Sequence, residues 1–150
     1  MTYLFDEATR AKTIERIRSV PADKQPRWGK MNAARMFAHC AVPFGIAFGD
    51  VPMKRLWLGR IFGKLARKRF LNPEPFPRNL PTDKKFAVVE HEPADVERER
   101  LVALVERFAK EGRQEGALLE VHPFFGAFSV EDWDLLMWKH LNHHLVQFEA

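Results

Sequence analysis

A single cysteine in 150 residues removes several readings at once. Cys40 alone cannot close a disulfide within the chain, and such sparing use of thiols fits a reducing compartment. Long apolar runs are also missing. The longest stretch, Cys40 to Phe48, is broken by Pro43 and Gly45 and is too short to span a bilayer. Asp6 and Glu7 fall where a secretory leader would be apolar. These features imply a cytoplasmic protein with no stable membrane insertion. Acidic residues are absent from Met53 to Phe70, which holds Lys54, Arg55, Arg60, Lys64, Arg67, Lys68 and Arg69. The net charge is only +4, so basicity belongs to one segment rather than to the protein as a whole. Without a helix-turn-helix or an aromatic RNA-binding motif, no nucleic acid partner is expected. Internal repeats and domain boundaries are lacking too, so residues 1–150 read as one domain.

What is present suffices for a real core. The chain is 46% hydrophobic and carries thirteen Phe and four Trp, enough to fold without staples. A first helix is predicted over Asp6 to Val20, with Ile14 and Ile17 on one face and Pro21 as its stop. Asn32 is a plausible N-cap for a second helix running to about Phe48, with Pro43 expected to kink it. On helical spacing Met36, His39, Pro43 and Ile46 share a face. The basic segment 54–70 is an amphipathic helix whose stripe is Trp57, Leu58, Ile61, Phe62 and Leu65. That stripe is expected to pack on the other helices, with the charges in water; the alternative is a basic face turned toward phosphate or a membrane. The Pro-rich loop 72–81 cannot be helix or central strand, and the loop runs on to about Glu92. Loops of that length are often lids, binding loops or extended arms. Pro93 suits a first helical position, a further helix continues to about Lys110, and Gly112 suits the residue just past its end. Ser129 and Asp132 approximate a capping box for the last helix. The pattern as a whole predicts an all-α antiparallel four-helix bundle, with an extra basic helix and a Pro-rich loop between helices two and three.

The last helix carries the chemistry. Its inward stripe is Trp133, Met137, His140, His144 and Phe148. His140 and His144 stand one turn apart on one side of the helix, and two imidazoles so placed can share a metal ion if a third ligand arrives from elsewhere. His39 is a candidate for that third ligand. The competing reading is of buried imidazoles bonded to a backbone carbonyl or a carboxylate. A zinc-protease site is excluded, because Leu141 stands where that motif needs Glu. His143 points about 100° from His144, which suits a pocket rim or the surface better than the same ion. Cys40 reads as a small hydrophobe. His122, before Pro123, could orient the last helix or line a pocket. His91 reads as loop surface.

The sequence order carries a resemblance. His39 lies in the second helix, followed by His122-Pro123-Phe124-Phe125-Gly126, Trp133, and His140-Leu141-Asn142-His143-His144. This resembles the DinB-like superfamily, specifically a bacterial branch to which no function is assigned. The resemblance implies a four-helix bundle and a divalent metal held by three histidines, with His39, His140 and His144 in those places. His122, His143, Trp133 and Met36, read from their positions, are candidates for the pocket or for support of the ligands. An all-nitrogen donor set suits zinc or nickel better than magnesium or calcium. The implied partner is a small-molecule substrate or a low-molecular-weight thiol, and the implied chemistry is thiol transfer or hydrolysis through an activated thiol or water. The alternative is a non-catalytic metal- or ligand-binding bundle. Members of the superfamily often pair through bundle helices, which makes a homodimer a further expectation.

Overall fold

The computed structural model describes residues 3–72, 74–78 and 90–150 and is mostly helical. Helix α1 (Glu7–Ser19) starts from Asp6, whose carboxylate accepts the Thr9 N–H at 2.8 Å. Helix α2 (Ala33–Ala47) starts from Asn32, which accepts the Arg35 N–H at 2.8 Å. Pro43 lies inside it, so the amide N–H missing there falls opposite the carbonyl of His39. Helix α3 (Trp57–Phe70) is the basic segment. Helix α4 (Ala94–Glu111) follows Pro93, which flanks the helix with an extended ψ of 152° rather than occupying its first turn. Gly112 is not the left-handed stop the sequence suggests. Its φ is −62°, and it is small because a Cβ there would meet the Phe108 carbonyl at 2.6 Å. Helix α5 (Val130–Gln147) carries the full capping box, Ser129 accepting from Asp132 N–H and Asp132 from Ser129 N–H.

One departure from an all-helical chain is a two-stranded antiparallel ribbon, β1 (Val121–His122) and β2 (Gly126–Ala127), pairing Val121 with Ala127 and His122 with Gly126. Gly126 turns the chain at a φ of 88°, a left-handed value that suits glycine.

Helix α2 packs on α4 and α5, and α1 packs on the same two helices. Between them lie Ile17, Phe37, Phe44, Leu101, Phe108, Trp133, Met137 and Leu141, all buried. Each large side chain taken from water there contributes roughly 1.5–3 kcal/mol. Asp134 ties the N-terminal segment to this core, accepting the N–H groups of Tyr3 at 2.8 Å and Leu4 at 2.7 Å. Burial pushes its carboxyl pKa up, and the backbone hydrogen bonds pull it back down.

Helix α3 does not pack as its amphipathic pattern suggests. Trp57, Leu58, Ile61, Phe62 and Leu65 are all exposed. The face that packs is Gly59 and Gly63, with Ala66 and Phe70 half-buried beside them. A Cβ at Gly59 would lie 2.3 Å from the Phe124 carbonyl oxygen, and one at Gly63 would lie 2.4 Å from it. The helix therefore sits backbone to backbone on the ribbon turn, which only glycine permits. Three polar links hold it there. Leu56 N–H donates to Pro123 O at 3.0 Å, Arg55 donates to His122 O at 3.0 Å, and Arg67 pairs with Asp132. At its far end the Lys139 ammonium donates to Phe70 O at 2.7 Å and to Asn72 O at 2.6 Å. None of the described helices is both long and apolar enough to cross a membrane.

Candidate metal centre

Helix α2 supplies His39 and helix α5 supplies His140 and His144. One ring nitrogen of each lies within 4.8 Å of the other two. The His39 and His140 Nε2 atoms are 2.9 Å apart. Ligands held at about 2.0–2.1 Å around a tetrahedral ion stand roughly 3.3 Å from one another. The 2.9 Å pair lies near that figure and 4.8 Å is the outer limit for the set, so the three rings stand close enough together that they could hold a divalent cation.

The protonation states fit as well. Burial chiefly, then the neighbouring rings His39, His144 and His143, holds His140 well below the ordinary histidine pKa. Burial, with His39 second, brings His144 down to about 3. Both rings are thus neutral near pH 7, the form that ligates a metal. At 2.9 Å two Nε2 lone pairs cannot face each other bare; a shared proton or a cation must lie between them.

The orientation of His144 is fixed from behind. Its Nδ1 lies 2.8 Å from Gln147 Oε1, and Gln147 Nε2 donates to the Trp28 carbonyl at 2.6 Å. Because the amide nitrogen is committed to Trp28, the amide oxygen faces the ring. His144 therefore carries its proton on Nδ1 and presents Nε2 as a lone pair, the support that metal-ligating histidines usually have.

The trio borders a cavity of about 640 Å³, a size typical of small-molecule sites. Its walls are mostly apolar, including Val42, Ile46, Phe70, Phe76 and Phe124. Among the described residues, no Asp or Glu lines it, and Lys30 is its one Lys or Arg.

The remaining sequence candidates separate into two groups. His122, His143 and Trp133 line the cavity. His122 Nδ1 accepts the N–H groups of Phe124 at 3.0 Å and Phe125 at 3.2 Å, which places the ring proton on Nε2. Burial, then Arg55, takes its pKa down to about 4. His143 stands outside the histidine trio, its ring between Trp28 at 5.8 Å and Phe76 at 6.1 Å. Trp133 is fully buried, and its indole N–H donates to Leu119 O at 2.8 Å. Met36 belongs with the core instead; its sulfur lies 3.8 Å from Cys40 Sγ, and it is absent from the cavity wall. Cys40 is buried, which pushes its thiol pKa up and leaves it inert. His91 is exposed.

Sequence reasoning missed Gln147, Trp28 and Phe76. Gln147 was findable, since it lies three residues after His144 and therefore on its face of the helix. Phe76 lies in the Pro-rich loop, where no periodicity marks a direction. That loop reaches the cavity through Phe76, which packs on Phe70 at 5.3 Å, while Arg78 stacks over Trp28 at 4.4 Å. Its residues 73 and 79–81 lie outside the described part of the chain.

Compared with known proteins, residues 5–150 match the model of one family, described as a protein of unknown function, DUF1569. No curated protein matches the chain, and no solved structure does.

Proposed function

The chain belongs to the DUF1569 family, and from its site we propose a metal-dependent enzyme of DinB-like four-helix-bundle type that acts on a small molecule. The observation that carries this is the convergence of His39, His140 and His144, with His144 fixed by Gln147, beside an apolar cavity of ligand size. The three imidazoles would hold the ion, with zinc or nickel suited to nitrogen donors. Bound there, a divalent ion would supply Lewis acidity, lowering the pKa of a thiol or water toward neutrality.

Between thiol transfer and hydrolysis, the lining favours the thiol. No carboxylate borders the cavity among the described residues to serve as a general base. A thiol starts nearer neutrality than water does and needs less help to ionise. The chain's own groups bind and orient. Val42, Ile46, Phe70 and Phe124 exclude water, Trp133 backs the cavity, and His122 offers an Nε2–H donor. The second reading, a non-catalytic binding bundle, draws on the same missing base.

Metal analysis of the purified protein beside His140→Ala is the first test. One equivalent in the parent and none in the variant is the expected result; no metal in either removes the basis for the chemistry. A cobalt-substituted protein should then change its visible spectrum when a low-molecular-weight thiol is added. An unchanged spectrum together with hydrolytic turnover would select the hydrolase, and neither response would leave the binding bundle.

A further inference from the structure

The outward face of α3 has no partner among the described residues. Leu65 is 72% exposed, Trp57 69% and Ile61 63%, with Phe62 and Leu58 beside them. Their spacing spreads them over an arc of about 140° on a regular helix. A contiguous apolar face of that size on a folded chain marks a docking surface. It is not a misplaced core face, because the packed side of this helix is already filled by the approach of Gly59 and Gly63 to Phe124.

The charges identify the occupant. No Asp or Glu lies between Met53 and Phe70. Arg55 and Arg67 are committed to His122 and Asp132. Lys54, Arg60, Lys64, Lys68 and Arg69 form no ion pair with any described residue. A second copy meeting this face with its own α3 would set cation against cation. A nucleic acid would satisfy the cations but leave Ile61, Leu65 and Leu58 against polar backbone. An anionic lipid surface satisfies both, with headgroups meeting Lys and Arg while the apolar row enters the acyl boundary.

We propose that α3 is an interfacial helix that seats the protein on anionic membrane surfaces through Trp57, Ile61, Phe62 and Leu65, with Arg60, Lys64 and Lys68 facing the headgroups. This rests on α3 alone and does not depend on the metal site.

Co-sedimentation of the full chain with vesicles tests it, using phosphatidylcholine alone and phosphatidylcholine mixed with phosphatidylserine. Binding is expected only to the mixed vesicles and should weaken as salt is raised. The double variant Ile61→Ser, Leu65→Ser should lower the partition coefficient at least about tenfold, and Lys64→Glu, Lys68→Glu should do so by a similar factor, given about fivefold per basic residue near an anionic surface. All four positions are exposed, so both variants should keep the parent melting temperature and circular dichroism. Failure to bind mixed vesicles overturns the proposal, as does equal binding by the folded variants. A concentration-dependent dimer that Leu65→Ser abolishes would overturn it in favour of a second copy, and tighter binding to duplex DNA than to mixed vesicles would overturn it in favour of nucleic acid.

Discussion

At the scale of single residues, the decisive feature is how His144 is oriented from behind. Gln147→Leu removes the acceptor at His144 Nδ1 and frees the wrong tautomer. Metal affinity should fall by about 10–100-fold, measured by competition with a chromophoric chelator, while the helix content stays as in the parent. His122 makes a different prediction. Its pKa is about 4 in the folded protein and about 6.5 when unfolded. Between those values the unfolded chain binds a proton that the folded one does not. Stability is therefore full above pH 6.5 and declines as pH falls toward 4, by up to roughly 3 kcal/mol from this ring. Asn in its place keeps an acceptor for the Phe124 and Phe125 amides but cannot titrate. Urea unfolding of metal-free His122→Asn across that range should show a shallower loss than the parent. That His140 and His144 share a side of the last helix was legible from spacing, because four residues nearly complete one turn; that His39 meets them was not, since it lies on another helix. Met36 was misplaced by the same arithmetic: it lies about 60° around the helix from His39, enough to leave it in the core while His39 reaches the cavity. Gln147's place on the His144 face was legible from spacing, but its own anchor was not, since that is a carbonyl 119 residues earlier in the chain.

At the scale of elements, α3 shows what amphipathicity leaves open. The helix and its charge were readable from Trp57 to Phe70, and so was the apolar stripe. Which side packs was not, because it depends on where Phe124 presents its carbonyl to Gly59 and Gly63. Gly59→Ala forces a methyl against that oxygen and should cost roughly 1–3 kcal/mol. The melting temperature should drop, and hydrogen exchange should speed up in α3 before it does in α2 or α4. Lys139→Met leaves the Phe70 and Asn72 carbonyls without their donor. A loss of roughly 1–3 kcal/mol is expected on urea unfolding, concentrated at the C-terminal end of α3. The caps at Asn32 and Ser129 were read correctly because their hydrogen bonds span three residues. The ribbon β1–β2 escaped notice because two residues per strand cannot show an alternation.

For the whole molecule, binding of an ion to the native state alone must raise its stability. With free zinc at a hundred times its dissociation constant the gain is about 2.7 kcal/mol, so a melting curve should shift upward with zinc and return with chelator, and His144→Ala should show no shift. One structural detail gives this linkage a direction. Lys139 precedes His140 in the chain, so the ammonium that clamps the tail of α3 and the ring that meets His39 hang from adjacent backbone units. A shift of the clamp would reach the imidazole through a single peptide, so a molecule wedged under Phe70 would be felt by any cation held there before the two ever touched.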